Sequence, residues 1–152
     1  MSFRIFAGLL FLSACSSATK GGYPNGQLTG GANARQAADQ FLAAVKLSDL
    51  QAMSTVWGTD RGPARETMDR TELEKREMIL ACYFKNDSYR ILGERSGQGE
   101  HREVSVELKK GNLIRTSTFY AIRGPGGRWY IDNVDIASVR DFCGNPGTSR
   151  SQ

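Results

Sequence analysis

One carboxylate in this chain stands where it could move a proton. Asp135 stands next to last in a run, residues 129–136, rich in aromatic and β-branched side chains, with Asn133 two positions before it. The run upstream, residues 112–123, carries Thr116, Thr118 and Tyr120 at the matching alternation. Buried among apolar groups on the face shared with Trp129, Asp135 would hold its proton more tightly and could act as a base. The plainer alternative is a solvated Asp135 at the open end of a sheet, bonded to Thr116, and the residue types favour it. The other reactive groups are the three cysteines, Cys15, Cys82 and Cys143, and one histidine, His101. His101 falls in the polar stretch SGQGEHRE and is expected in an exposed loop. Without a CxxC, and with one histidine, a zinc set cannot be assembled, so no metal is expected. No Ser-His-Asp set, phosphate-binding loop, paired-carboxylate spacing or cofactor motif occurs. The residues present no recognisable active site.

The elements that must position these residues follow from periodicity. The last two runs read NLIRTSTFYAIR and RWYIDNVDI, joined by Gly124-Pro125-Gly126-Gly127, the pattern of a long β-hairpin. If Arg123 pairs with Arg128, then Tyr120, Ile122, Trp129 and Ile131 share one face, which Thr116, Thr118, Asn133 and Asp135 continue. Val104, Val106 and Leu108 alternate with Ser105 and Glu107 in a preceding strand, residues 103–109, and residues 89–95 read as another. Lys109-Lys110-Gly111 suits a three-residue loop with Gly111 left-handed. That loop places Val104 and Val106 on the face of Ile114, Tyr120, Ile122, Trp129 and Ile131. On the opposite face Phe119, Ala121, Tyr130, Val134 and Ile136 would form an apolar patch unless something covers it.

Upstream the period is helical. Ala34, Ala37, Ala38, Phe41, Leu42 and Val45 repeat at i, i+3, i+4, i+7 over Ala34–Leu47, with Asn33 as N-cap. A second helix is expected over residues 49–57 from the capping-box spacing of Ser48 and Gln51, stopped by Gly58. Residues 59–69 read as a loop, and a third helix starts near Thr71, paired with Glu74, and runs to about Phe84. Residues 137–143 read as a strand end or turn. The expected fold class is α+β: N-terminal helices packed on a curved antiparallel sheet.

The chain has 152 residues, enough for one cored domain. Its formal charge is +4, but Arg61, Arg65, Arg70, Arg76, Lys109, Arg115 and Arg128 are dispersed among sixteen acids. A nucleic-acid binder concentrates its excess on one stripe, so no nucleic acid is expected as partner.

The N-terminus carries an address. Arg4 is followed by an apolar stretch from Ile5 to Leu12, as in a secretory signal; at about 1.5 Å per residue it is too short to cross a bilayer. Leu12-Ser13-Ala14-Cys15 resembles the lipobox of bacterial lipoproteins. The resemblance implies a signal peptide over residues 1–14, a diacylglycerol on the Cys15 sulfur and acylation of the new amino group. It also implies a partner, the membrane, reached through that lipid. In lipoproteins a Ser after the Cys favours the outer membrane, so Ser16 points to a lipid-anchored protein of the bacterial cell envelope facing the periplasm. Residues 15–33, rich in Gly, read as the lipidated Cys and a flexible tether, and residues 144–152 as a disordered polar tail.

With Cys15 assigned to lipid, Cys82 and Cys143 remain as a pair in an oxidising compartment. A bridge would close a loop of about sixty residues and stabilise the fold by about 4 kcal/mol in the chain-entropy account. The alternative is a buried free Cys82 and an exposed Cys143.

Helices followed by an antiparallel sheet that ends in Gly127-Arg128-Trp129-Tyr130-Ile131 resemble the NTF2-like (cystatin-like α+β) superfamily. More narrowly the chain looks like small bacterial lipoproteins with a DUF4878-type domain of this fold. The resemblance implies an NTF2-like cone over residues 34–143 and a candidate pocket lined by Thr116, Thr118, Tyr120, Trp129, Asn133 and Asp135. It carries no activity, because this fold hosts unrelated ones. Three readings follow. The first is a non-catalytic envelope module that binds a small apolar ligand or docks an envelope protein. The second is an enzyme of isomerase or dehydratase type using Asp135. The third is a homodimer through the Phe119 face. The first is the reading the residues support best.

Overall fold

A computed structural model describes residues 29–144. The expected signal peptide, Cys15, most of the tether and the tail beyond Gly144 lie outside the described residues.

Helix α1, Ala34–Leu47, buries the six residues of the predicted stripe and Ala44. Asn33 caps it, its side chain accepting from the Gln36 N–H at 2.9 Å, while Gln36 Oε1 accepts from the Ala32 N–H at 2.6 Å. Ser48, expected to open the next helix, instead closes this one. It is left-handed (φ 56°, ψ 34°) and its N–H donates to the carbonyls of Ala44 and Val45. Asp49 then caps α2, Leu50–Val56, accepting from the Ala52 N–H at 2.9 Å. A carboxylate next to a residue that must turn the chain is the better N-cap, and the pairing of Ser48 with Gln51 is lost.

Residues 59–69, expected as a loop, hold most of a small hairpin of β1, Gly58–Thr59, and β2, Gly62–Pro63, followed by a short helix α3, Ala64–Thr67. Helix α4, Arg70–Phe84, starts at Asp69, whose carboxylate accepts from the Glu72 N–H at 3.1 Å, and not at Thr71. Its buried stripe is Leu73, Glu77, Leu80 and Phe84.

Strands β3, Ser88–Ser96, β4, Arg102–Lys110, β5, Leu113–Arg123, and β6, Trp129–Val134, form one antiparallel sheet in that order. The fold is therefore α+β, with helices against a four-stranded sheet that does not close into a barrel. The strands are where the sequence places them, but their faces are reversed in β5. Lys110 pairs with Leu113, so the turn holds two residues, with Gly111 left-handed at φ 56°. A three-residue loop would have paired Val104 with Thr116; the two-residue loop pairs it with Phe119. Because side chains alternate, that odd shift exchanges the two faces. Ser117, Phe119 and Ala121 turn inward, and Thr116, Thr118, Tyr120 and Ile122 turn outward.

The β5–β6 hairpin differs too. Arg123 pairs with Trp129, not Arg128, and Asp132 is an extra residue between the pairs Ala121–Ile131 and Tyr120–Asn133. This bulge lets Ile131 and Val134, three positions apart, both face the core.

The core centres on aromatic rings. Phe41, Phe84 and Phe119 are fully buried. Their centroids lie 5.1 to 6.4 Å apart at steep angles, and Trp57 joins at 5.7 Å from Phe41. Edge-to-face contacts of this kind stabilise beyond simple area burial. The expected apolar patch on the far face is absent: Phe119, Ala121, Tyr130 and Val134 are buried by the chain itself, and Ile136 packs against the core.

The end of the expected tether is part of this packing. Gly31 exchanges backbone hydrogen bonds with Trp129 at 2.8 and 2.9 Å and so covers the edge of β6. A Cβ on Gly31 would meet the Ala37 nitrogen at 2.4 Å, so only glycine fits. Arg128 Nε donates to the Thr29 carbonyl at 2.9 Å, and Thr29 Oγ1 meets the Tyr130 hydroxyl at 3.0 Å. After β6 the chain forms a 3₁₀ turn, Ala137–Cys143, that buries Val139 and Phe142. Its last residue is bridged to α4 by the Cys82–Cys143 disulfide, with Cα atoms 5.1 Å apart across 61 positions of sequence.

Candidate functional site

The reversed sheet puts a polar row on the solvent side. Arg95, Glu103, Tyr120 and Asn133 are successive cross-strand neighbours on β3, β4, β5 and β6. The bulge sets Asp132 beside this row. The loop between β3 and β4 brings His101 to the same place, held by Gly97 N–H to the His101 carbonyl (2.9 Å) and His101 N–H to the Gln98 carbonyl (3.2 Å). Gln98, His101, Glu103, Tyr120, Asp132 and Asn133 line an open cleft of about 500 Å³, within the size range of small-molecule sites.

His101 is not the free loop histidine that the sequence suggests. Its Nε2 lies 2.7 Å from Asp132 Oδ2 and its Nδ1 3.1 Å from the Gln98 carbonyl. Both partners are acceptors, whereas a neutral imidazole has a single N–H. Only the imidazolium, donating through both nitrogens, satisfies the two contacts at once. The hydrogen bond to Asp132 raises the His101 pKa above its ordinary value, against the opposing cost of burial. Locked in this way, His101 keeps no nitrogen to accept a proton from a substrate. The remaining charges in the cleft are likewise matched: Glu103 Oε2 accepts from Arg95 Nε at 2.6 Å. Asn133 Oδ1 accepts from the Val134 N–H at 2.9 Å, which leaves its Nδ2 donor for the cleft. Asp132 Oδ1 is buried and has no partner among the described residues.

The candidate pocket residues read from the sequence are thus divided. Tyr120 and Asn133 line the cleft; Thr116 and Thr118 lie on the same outward face further along β5. Trp129 sits at the far end of β6, half-buried between Arg123 on β5 and Gly31. Asp135 follows β6. Its N–H donates to the Thr118 carbonyl (2.9 Å), and its own carbonyl accepts from Ser117 Oγ (2.8 Å) and Ser138 Oγ (2.9 Å). Thr116, Thr118 and Tyr120 turn away from the helices because β5 presents its other side to them, and Asn133 pairs with Tyr120 on that outer face, whereas Trp129 shares the face of Ile131 and packs against the core. Gln98, His101, Glu103 and Asp132 were not legible as a group. The one available signal was a lone histidine flanked by Glu100 and Glu103.

A second unusual group lies among helices α2, α3 and α4. Glu77 of α4 is 1% exposed, and its Oε1 has no partner among the described residues. Burial, then the charge of Glu74, push its pKa up to about 7. It borders a cavity of about 280 Å³ together with Gln51, Arg65, Arg70, Leu73 and Glu74. Arg70 is taken by Glu74, one helical turn away at 2.8 Å.

Among the described residues, no three His, Cys, Asp or Glu side chains converge as a metal site, and no helix is long and apolar enough to cross a membrane. Comparison with known proteins finds no matching family model, no matching curated protein and no matching solved structure.

Proposed function

We propose that the chain is a lipid-anchored protein of the bacterial envelope whose α+β domain is a non-catalytic binding module working through the outer cleft of its sheet. The observation that carries this reading is the placement of open space. The region between helices and sheet is packed with Phe41, Phe84, Phe119 and Trp57, while the cleft at Tyr120 and Asn133 opens on the other side. Its one imidazole is committed through both nitrogens, which favours recognition over acid–base catalysis.

The anchor is supported by the Leu12-Ser13-Ala14-Cys15 pattern, and the Cys82–Cys143 bridge fits an oxidising compartment. The order of helices and sheet is compatible with an NTF2-like domain, and we carry that resemblance forward as part of the proposal. The anchor is tested by palmitate labelling and membrane fractionation: Cys15→Ser should abolish labelling and release the protein from the membrane. Continued labelling of Cys15→Ser would end the lipoprotein reading. The binding reading is tested by native mass spectrometry of the full-length protein released from detergent. A retained small molecule that Tyr120→Ala and Asn133→Ala both lose supports it, and one retained equally by these variants contradicts it.

A further inference from the structure

Taking the outer cleft as the binding site, as proposed above, we infer that it takes a neutral saccharide. The class follows from what its six lining side chains have left to offer. None of Gln98, His101, Glu103, Tyr120, Asp132 and Asn133 is aliphatic, so an apolar ligand would desolvate polar groups without compensation. Ionic ligands fare no better. Each carboxylate already has a partner, Asp132 in His101 at 2.7 Å and Glu103 in Arg95 at 2.6 Å. A cationic ligand would have to displace one of these partners, and an anion would approach two carboxylates.

What remains is a neutral, directional surface. Tyr120 supplies an aromatic side chain with a hydroxyl, Asn133 an Nδ2 donor, and Gln98 its side-chain amide, since the His101 ring engages only the Gln98 backbone carbonyl. Glu103 Oε1, which Arg95 does not engage, keeps lone pairs that accept from hydroxyls, whereas Asp132 Oδ1 is buried. A pyranose matches this set. Its C–H face packs on an aromatic ring, and its hydroxyls both donate and accept, so they serve carboxylates and amides alike. An extended peptide also presents amides, but it gains most by adding to a sheet edge. Glu103, Tyr120 and Asn133 lie across three paired strands, on the sheet's face. The edge of β6 is already taken by Gly31 and Trp57. Because the cleft is open, a longer glycan can pass through it.

The test is a titration of the full-length ¹⁵N-labelled protein, followed by NMR in a detergent without a sugar headgroup. The probes are glucose, N-acetylglucosamine and the tetramer of each, with glucuronate, glucosamine and a blocked triglycine as charged and peptide controls. Saturable shifts at Gln98, His101, Tyr120 and Asn133 with a neutral tetramer are expected. Tyr120→Ala should weaken binding about tenfold, Tyr120→Phe much less, and Asn133→Ala by a similar order through the lost donor. If only the charged or peptide probes move these signals, the saccharide assignment is wrong while the cleft remains a binding site. If no probe moves them, or a saccharide binds elsewhere, the assignment and the reading of the cleft fall together.

Discussion

Val104 on β4 lies opposite Phe119 on β5, and this one pairing decides which side of the sheet becomes core. Both residues are fully buried, and Phe119 packs edge-on against Phe41 and Phe84. With Phe119 inward, its neighbours Thr118 and Tyr120 must point to solvent. The outer cleft is therefore a consequence of the same register that builds the core.

Phe119→Ala should cost about 3–5 kcal/mol, the usual range for emptying an aromatic site in a packed core. Thr118→Ala, one residue away on the outward face, should change stability by less than about 0.5 kcal/mol. Urea unfolding of the two variants checks the pair. Equal effects, or the reverse order, would be incompatible with this register.

Reduction of the Cys82–Cys143 bridge frees the 3₁₀ turn Ala137–Cys143 from α4. Loss of the crosslink, by reductant or as the double Ser variant, should lower stability by about 2–4 kcal/mol. A thermal melt with and without reductant measures it, and the double Ser variant should melt alike in both.

His101 should make stability depend on pH in a defined direction. Its pKa is raised in the folded protein by the hydrogen bond to Asp132. Its contribution is complete below the unfolded value of about 6.5 and is lost as pH rises through the higher folded value. Wild type should exceed His101→Gln in urea midpoint at pH 6, and the two should converge in alkali. The gap should stay below about 1 kcal/mol, because the pair is partly solvated. A gap that widens with rising pH would mean that the imidazole is held neutral.

Glu77 should act with the same slope for the opposite chemical reason. Burial raises its pKa from 4.5 in the unfolded chain to about 7 in the folded one. The native state then holds a proton that the unfolded state has released, so stability falls as pH rises from 4.5 toward 7 and levels off above. Glu77→Gln should remove this slope and be the more stable form at pH 8, by about 1–2 kcal/mol after allowance for screening. Urea midpoints at pH 5 and pH 8 decide it, and an unchanged slope in Glu77→Gln would rule out Glu77 as its source.

Gly31→Ala should destabilise more than an ordinary surface change, by about 1–3 kcal/mol, because its Cβ would overlap the backbone of α1. Hydrogen exchange at Trp129, whose N–H donates to Gly31, should speed up in this variant. Unchanged protection of Trp129 would count against the docking of residues 29–31 on β6.

Much of this architecture is legible before folding, and the division has a physical cause. The stripe of α1 from Ala34 to Val45 and the existence of the four long strands rest on local periodicity, and the pairing of Cys82 with Cys143 on counting the cysteines left once Cys15 is set aside. A helix buries whichever side repeats at 3.6 residues, so Phe41 and Leu42 could face only one way. Helix starts are less secure: Ser48 and Thr71 each have capping chemistry, but neighbouring Asp49 and Asp69 are the residues that cap. The faces of β5 were beyond local reading, since Phe119 and Ala121 on one side and Tyr120 and Ile122 on the other are both apolar enough to be core. Only the two-residue turn at Gly111, with the rings of Phe41 and Phe84 waiting above, selects between them. The cleft depends further on a bulge at Asp132 and a loop that carries His101 across 31 positions of sequence to meet it. Local pattern thus determined the long helices and the four long strands, but not the small hairpin β1–β2 or helix α3. Tertiary packing alone decided the faces of the strands, because an odd-numbered slip between strands leaves every propensity unchanged and exchanges every side chain.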